Sequence, residues 1–326
     1  MASKKRTMTP AVRHLRYDVQ NSGVAGTETS HYIDIAKDLS ALNRRLYRQG
    51  RSYHIRKVTV VSRDTIAGIG GAEGLTGLGS VNLAQQNAGR ISFSTAPNSW
   101  VARGAWKRGF KTWNLMNKEA TRNLTNDISG KWSDFKIYLS STHFAGTKLV
   151  PIDNGGGAPV GGTWTYSNYI SPDGTTSSDD FRIHLLGATT GTPGAIISAG
   201  LIQSFGDTRA TVNLDEPNVP GAAKDDPLLN VFDYGTTVDE VIDQLIADND
   251  NPPYDDDAYP GGSTNMIKPL VMVDGTIADG SVTLGGFEAL CGLIEVECNS
   301  PIVNDVFSVL VELAPGNYRG IKAEAI

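Results

Sequence analysis

Two cysteines in 326 residues, Cys291 and Cys298, leave almost nothing for a disulfide framework or a thiolate metal site. Read as members of one strand, seven positions apart, they point to opposite faces and cannot bridge. Both are expected as reduced core thiols, consistent with an intracellular origin. The five histidines, His14, His31, His54, His143 and His184, are scattered, and none has a second ligand at metal spacing. No apolar run approaches the roughly 18 residues that span a bilayer. The start, MASKKRTMTP, is basic, and no apolar segment follows it as a secretory signal would require. No G-x-S-x-G elbow occurs. Gly68, Gly70 and Gly71 are followed by Glu73, so the G-x-G-x-x-G phosphate register fails. No catalytic set emerges, and the chain reads as neither an enzyme nor a holder of an organic cofactor.

What is present is β signal, densest in Lys268–Leu313. Apolar and β-branched segments are cut there by Asp274-Gly275, Asp279-Gly280, Gly285-Gly286 and Asn299-Ser300-Pro301, all turn chemistry. Phe307, Val309, Val311 and Leu313 alternate with Ser308 and Glu312. Leu290, Ile294, Val296 and Cys298 repeat the pattern, with Glu295 and Glu297 expected outward. Period two with one wet face indicates antiparallel strands packed on a core. The 36 glycines and 15 prolines suit many short strands joined by tight turns.

Taken in order, residues 1–28 read as a basic flexible arm and 29–326 as the folded domain, with an internal boundary at the Gly/Pro loop 154–162. Asp38 or Ser40 is expected to cap a helix ending at Gly50, and Tyr53–Ser62 to form a strand. Asn98 or Ser99 opens a long helix whose Trp106, Phe110 and Trp113 form an apolar stripe, with Arg103, Lys107 and Lys111 on a basic one. Further strands are expected at Phe135–Leu139, Thr163–Ile170, Phe181–Leu186, Ile196–Phe205 and Ala210–Leu214, and a short helix at Thr237–Ala247.

The net charge of −6 hides a split. Residues 1–149 carry 23 Lys+Arg against 9 Asp+Glu, and residues 150–326 carry 6 against 26. One half therefore suits an anionic partner and the other suits solvent or cations, unless the halves neutralise each other at an interface. Asp248, Asp250, Asp255, Asp256 and Asp257 form an acidic loop that either is solvated or takes a structural Ca²⁺.

Short strands, long loops, helices in the connections and an N-terminal basic arm together resemble the viral jelly-roll sandwich of capsid proteins. Asp38–Gly50, DLSALNRRLYRQG, and Leu310–Ile326, LVELAPGNYRGIKAEAI, are similar to segments of major capsid proteins of small tailless, single-stranded DNA viruses. The resemblance implies an all-β fold with helices in the connections. A single elaborated roll fits the strand count better than a double jelly roll. It implies self-assembly into an icosahedral virion shell inside a host cell, in trimers or larger capsomers alongside other virion proteins. Non-specific contact with nucleic acid or an internal membrane would then use Lys4, Lys5, Arg6, Arg13, Arg16, Arg44, Arg45, Arg48, Arg103, Lys107 and Lys111. The arm is sparse in arginine, unlike arms that condense DNA directly. The alternative is a carbohydrate-binding or fibre-like β module, with Trp164, Tyr166, Tyr169, Tyr254 and Tyr259 as its sugar platform.

Overall fold

A computed structural model describes residues 10–62, 89–122, 132–153, 155–159, 161–170, 180–192, 195–208, 241–248, 259–277 and 280–326. The protein is strand-rich, and two of its sheets pack face to face as a β-sandwich. The first holds β1 (His14–Gln20), β14 (Val306–Leu313), β3 (Arg51–Ser62) and β11 (Ser281–Leu284) in that order; β12 (Glu288–Leu290) and β17 (Ala323–Ala325) also pair with β3. The second runs β10 (Leu270–Thr276), β4 (Arg90–Thr95), β13 (Leu293–Asn299), β2 (Thr29–Asp34), β5 (Thr147–Lys148). Pairing is nested: β1 with β14, β2 with β13, β3 with β11 and β4 with β10, all antiparallel. The chain is thus a long hairpin, wrapped so that its paired arms fall alternately in one sheet and the other.

The alternation in β14 is the clearest cause. Phe307, Val309, Val311 and Leu313 are buried between the sheets, opposite Leu15, Tyr17 and Val19 from β1 and Val58 and Val60 from β3. Each such side chain contributes roughly 1.5–3 kcal/mol by leaving water. In β3 the inward parity switches, from Tyr53 and Ile55 to Val58 and Val60. A bulge explains it: Glu312 pairs with Lys57, but Leu313 pairs with Ile55, leaving Arg56 extra. Gly286 lies against that bulge. A Cβ there would stand 2.5 Å from the carbonyl oxygens of Ile55 and Arg56.

Several expectations are corrected. The arm does not reach residue 28, because His14–Gln20 is a core strand whose Leu15, Tyr17 and Val19 alternate inward. Cys291 does not share a strand with Cys298. It occupies the turn between β12 and β13 at φ 59°, where the chain crosses from one sheet to the other; both thiols are buried and free. Glu295 is buried rather than outward, and it accepts a hydrogen bond from Tyr32 Oη. The first helix, α1 (Ile35–Asn43), starts earlier than expected, since Asp34 at the end of β2 already accepts from Lys37 N.

Between β4 and β10, residues 96–269 form a large insertion. It opens with α2 (Trp100–Thr121), capped by Ser99, whose Trp106, Phe110 and Trp113 pack inward as expected. A 3₁₀ turn at Thr142–Phe144 precedes β5, which joins β2 in parallel at the edge of the sandwich. A four-stranded sheet follows, in the order β6 (Asn168–Ile170), β7 (Asp180–His184), β9 (Ala195–Gly200), β8 (Thr190–Thr192). Ile196–Phe205 is not one strand, because β9 turns into α3 (Leu201–Asp207). Residues 135–139 bury Phe135, Ile137 and Leu139 and form an isolated bridge, Tyr138 to His184, while Lys136 O and Leu139 O accept from Ser167 N and Leu186 N. The segment 241–248 is helical, and Ala210–Leu214 lies outside the described residues. Among the described residues no helix is long and apolar enough to cross a membrane.

Candidate functional site

A cavity of about 370 Å³ opens between α1 and the segment that follows β5. Its construction begins with Asp34. One carboxylate oxygen caps α1. The other accepts from Gln49 Nε2 (2.8 Å), Trp164 Nε1 (3.0 Å) and Tyr166 Oη (3.3 Å). Gln49 in turn accepts from Ile137 N at 2.7 Å. A single buried carboxyl therefore ties the sandwich, α1 and two stretches of the insertion together. Burial raises its pKa, while the hydrogen bonds from Lys37 N, Gln49 and Tyr166 pull it back.

The cavity walls carry Lys37, Arg44, Arg45 and Lys136 with Trp132 and Trp164. Lys37 sits in the first turn of α1, and Arg44 is its C-cap. Arg44 has a left-handed backbone, φ 52°, which costs a non-glycine residue about 1–2 kcal/mol. Arg45 donates to Pro10 O, so it also holds the chain just before β1. Lys136 is 8% exposed, and its ammonium lies 4.4 Å over the Trp164 ring. Burial lowers the Lys136 pKa, opposed by the charges of Asp134 and Asp34. Asp38 is the one carboxyl among the described lining residues. It is buried, accepts from Tyr17 Oη at 2.6 Å, and is pushed up by burial to about 8.

Arg44 and Arg45 are thus brought together with two lysines that the charge pattern alone did not single out. The other expected phosphate-facing residues lie elsewhere. Lys4, Lys5 and Arg6 fall outside the described residues. Arg13 and Arg16, at the edge of and within β1, are half-buried. Arg48 is paired with Asp134 at 3.6 Å. Arg103 is held by Ala325 O and Asn98, while Lys107 and Lys111 are exposed on α2. The sugar platform does not assemble: Tyr169 and Tyr259 are buried, Trp164 and Tyr166 are tied to Asp34, and Tyr254 lies outside the described residues.

A second cluster joins His54 of β3, Glu288 of β12 and Glu324 of β17. His54 Nε2 is 3.8 Å from Glu288 Oε1 and 3.3 Å from Glu324 Oε1. One imidazole and two carboxylates are a donor set that a divalent cation accepts. Ligand spacing could not reveal it, because only the pairing of three strands brings these residues together. Of the acidic loop, Asp248 is described and accepts from Gln244 at 2.7 Å; Asp250, Asp255, Asp256 and Asp257 lie outside the described residues.

No family model, curated protein or solved structure matches the chain.

Proposed function

We propose that the chain is a structural capsid protein that self-assembles into an icosahedral virion shell, and that its sandwich is a single elaborated jelly roll. The observation that carries this reading is the nested pairing. Numbered by chain order within the sandwich, β1, β2, β3, β4, β10, β11, β13 and β14 pair first with last, second with seventh, third with sixth and fourth with fifth. A jelly roll is such a wrapped double sheet. A double roll would need a second set of this kind, whereas the insertion carries a four-stranded sheet among the described residues.

Self-assembly is supported by the edge of the second sheet. Its last strand, β10, exposes Leu270, Val271 and Met272, with Met266 and Ile267 just before it. An unpaired apolar edge invites a further copy of the chain, and capsid subunits bury such edges against neighbours. The two halves of the chain interleave in both sheets and meet in the ion pairs Lys57–Glu312 and Arg90–Asp274, so contact with phosphate would fall to exposed cations such as Lys107 and Lys111 rather than to a whole basic half. Size-exclusion chromatography with light scattering tests the assembly. Trimers or larger species are expected, with assembly reduced but folding retained when residues 2–9, which precede β1, are deleted. A strict monomer at high concentration overturns the reading.

A further inference from the structure

We propose that the cavity between α1 and the insertion binds one nucleotide of a single DNA strand, with the base stacked at Trp132 and the phosphate held by Lys136, Lys37 and Arg44. The choice of packaged DNA as the source of the nucleotide rests on the shell-protein reading; the chemistry of the cavity does not.

The charge of the walls selects an anion. Lys37, Arg44, Arg45 and Lys136 line the cavity, and among the described residues none of them makes an ion pair within 4.0 Å. The nearby carboxyls are committed elsewhere: Asp38 to Tyr17 Oη, Asp34 to Gln49, Trp164 and Tyr166, and Asp134 to Arg48, though the charges of Asp34 and Asp134 still act on Lys136. Lys136 carries the second, independent observation. It is more than nine-tenths buried, yet among the described residues its ammonium has no hydrogen-bond acceptor, only the face of Trp164. An ammonium offers three donors, and this one, at the end of a buried stem, opens on the cavity, where an anion can accept from it. Here the acceptors would arrive with a ligand.

The aromatic groups select what carries the anion. Trp132 is 66% exposed, an unusual position for so large an apolar ring, and it stands on the cavity wall. Trp164 cannot swing away, since its Nε1 is bonded to Asp34. A volume of about 370 Å³ lies in the range of small-ligand sites. Cations beside exposed aromatic rings are how proteins hold unpaired strands, because every base has a stacking face and every nucleotide a phosphate. In a duplex the bases are already stacked on each other, so a double strand cannot use Trp132.

The test is fluorescence titration of the whole protein with a short oligothymidine, comparing wild type with Lys136→Met and Trp132→Ala. Lys136→Met keeps the length and burial of the side chain; Trp132→Ala alters an exposed residue, so at least one variant folds. Binding at low salt is expected to weaken tenfold or more in the first and about fivefold or more in the second, with a duplex of equal length competing poorly. Wild-type affinity in both variants overturns the site. Inorganic phosphate or anionic vesicles matching the oligonucleotide, with the same dependence on Lys136, overturn the nucleotide and leave a plain phosphate or lipid site. Microscopy of the same samples separates the two readings. Shells without Lys136-dependent binding refute the pocket alone, and Lys136-dependent binding without any assembly refutes the shell alone.

Discussion

The sandwich and the insertion are built on different principles. Between the two sheets the core is mostly aliphatic and arrives by alternation, with β14 against β1 and β3. The insertion core is aromatic and hydrogen-bonded. Trp106, Phe110, Trp113, Phe135 and Tyr169 pack ring against ring, stacked in the pairs Trp106–Phe110, Phe110–Trp113 and Phe135–Tyr169 and tilted or edge-on in the others. His184 is wholly buried, with Leu186 O and Ser198 Oγ as its partners. His143 lies stacked on Tyr32 at 4.5 Å and accepts from Leu139 N. A ladder imposes its own periodicity, whereas an aromatic cluster needs partners brought from many places.

Cutting each core separately gives the largest effect. Phe307→Ala empties a site between the sheets and is expected to cost about 3–5 kcal/mol of global stability in urea unfolding. Phe135→Ala should cost a similar amount inside the insertion, read as faster local proteolysis and hydrogen exchange there, with the sandwich amides still protected. Equal loss of protection in both regions would show that they are one cooperative unit.

Asp34→Ala attacks the tie between the regions. It strands Gln49, Trp164, Tyr166 and the α1 cap, and roughly 2–4 kcal/mol should be lost. Asp34→Asn keeps an acceptor and should lose less. Thermal melts that place the two variants together would contradict the assigned bonds.

The pH profile separates the regions more finely. Asp38 has its folded value raised to about 8 from an ordinary 3.8, so its contribution is complete below about 4 and is lost as pH rises toward 8. His143 has its folded value lowered by burial to about 3 from 6.5, so its contribution is complete above 6.5 and is lost as pH falls. From about 4 to 6.5 the two slopes oppose. Stability should therefore fall from pH 6.5 to 8 through Asp38 and below pH 4 through His143, each by up to about 1.4 kcal/mol per unit. Asp38→Asn should flatten the alkaline limb and His143→Gln the acid limb, measured as unfolding free energy against pH. Unchanged limbs in both variants would remove these groups as the cause.

The smallest effect concerns the acidic loop. If Asp248, Asp250, Asp255, Asp256 and Asp257 meet at a junction of subunits, Ca²⁺ should raise particle melting by a few degrees and EDTA should reverse it. Identical melts leave the loop as solvated charge.

Legibility follows the same division. The strands of Lys268–Leu313 could be read because alternation is local, but Asp274-Gly275, expected as a turn, lies paired inside β10, and the turn at Cys291-Gly292 was taken as strand. The strand at His14–Gln20 carried the same alternation, but scattered arginines masked it. Alternation in the strand expected at Phe135–Leu139 would put Lys136 on the face away from Phe135 and Ile137; it is buried there too, because residues 135–139 lie between Gln49 and Ser167 rather than at a free face. Arg44 and Arg45 were legible as cations, yet their partners at the cavity, 91 or more positions on for Lys136, were not. The trio His54, Glu288 and Glu324 is hidden for the same reason, since its geometry belongs to strand pairing.

Negative-stain microscopy of the purified full chain tests the central claim most directly. Closed shells of uniform diameter, or discrete capsomers, are expected at neutral pH and moderate salt. Dispersed monomers that never assemble, and that bind glycans instead, would contradict it.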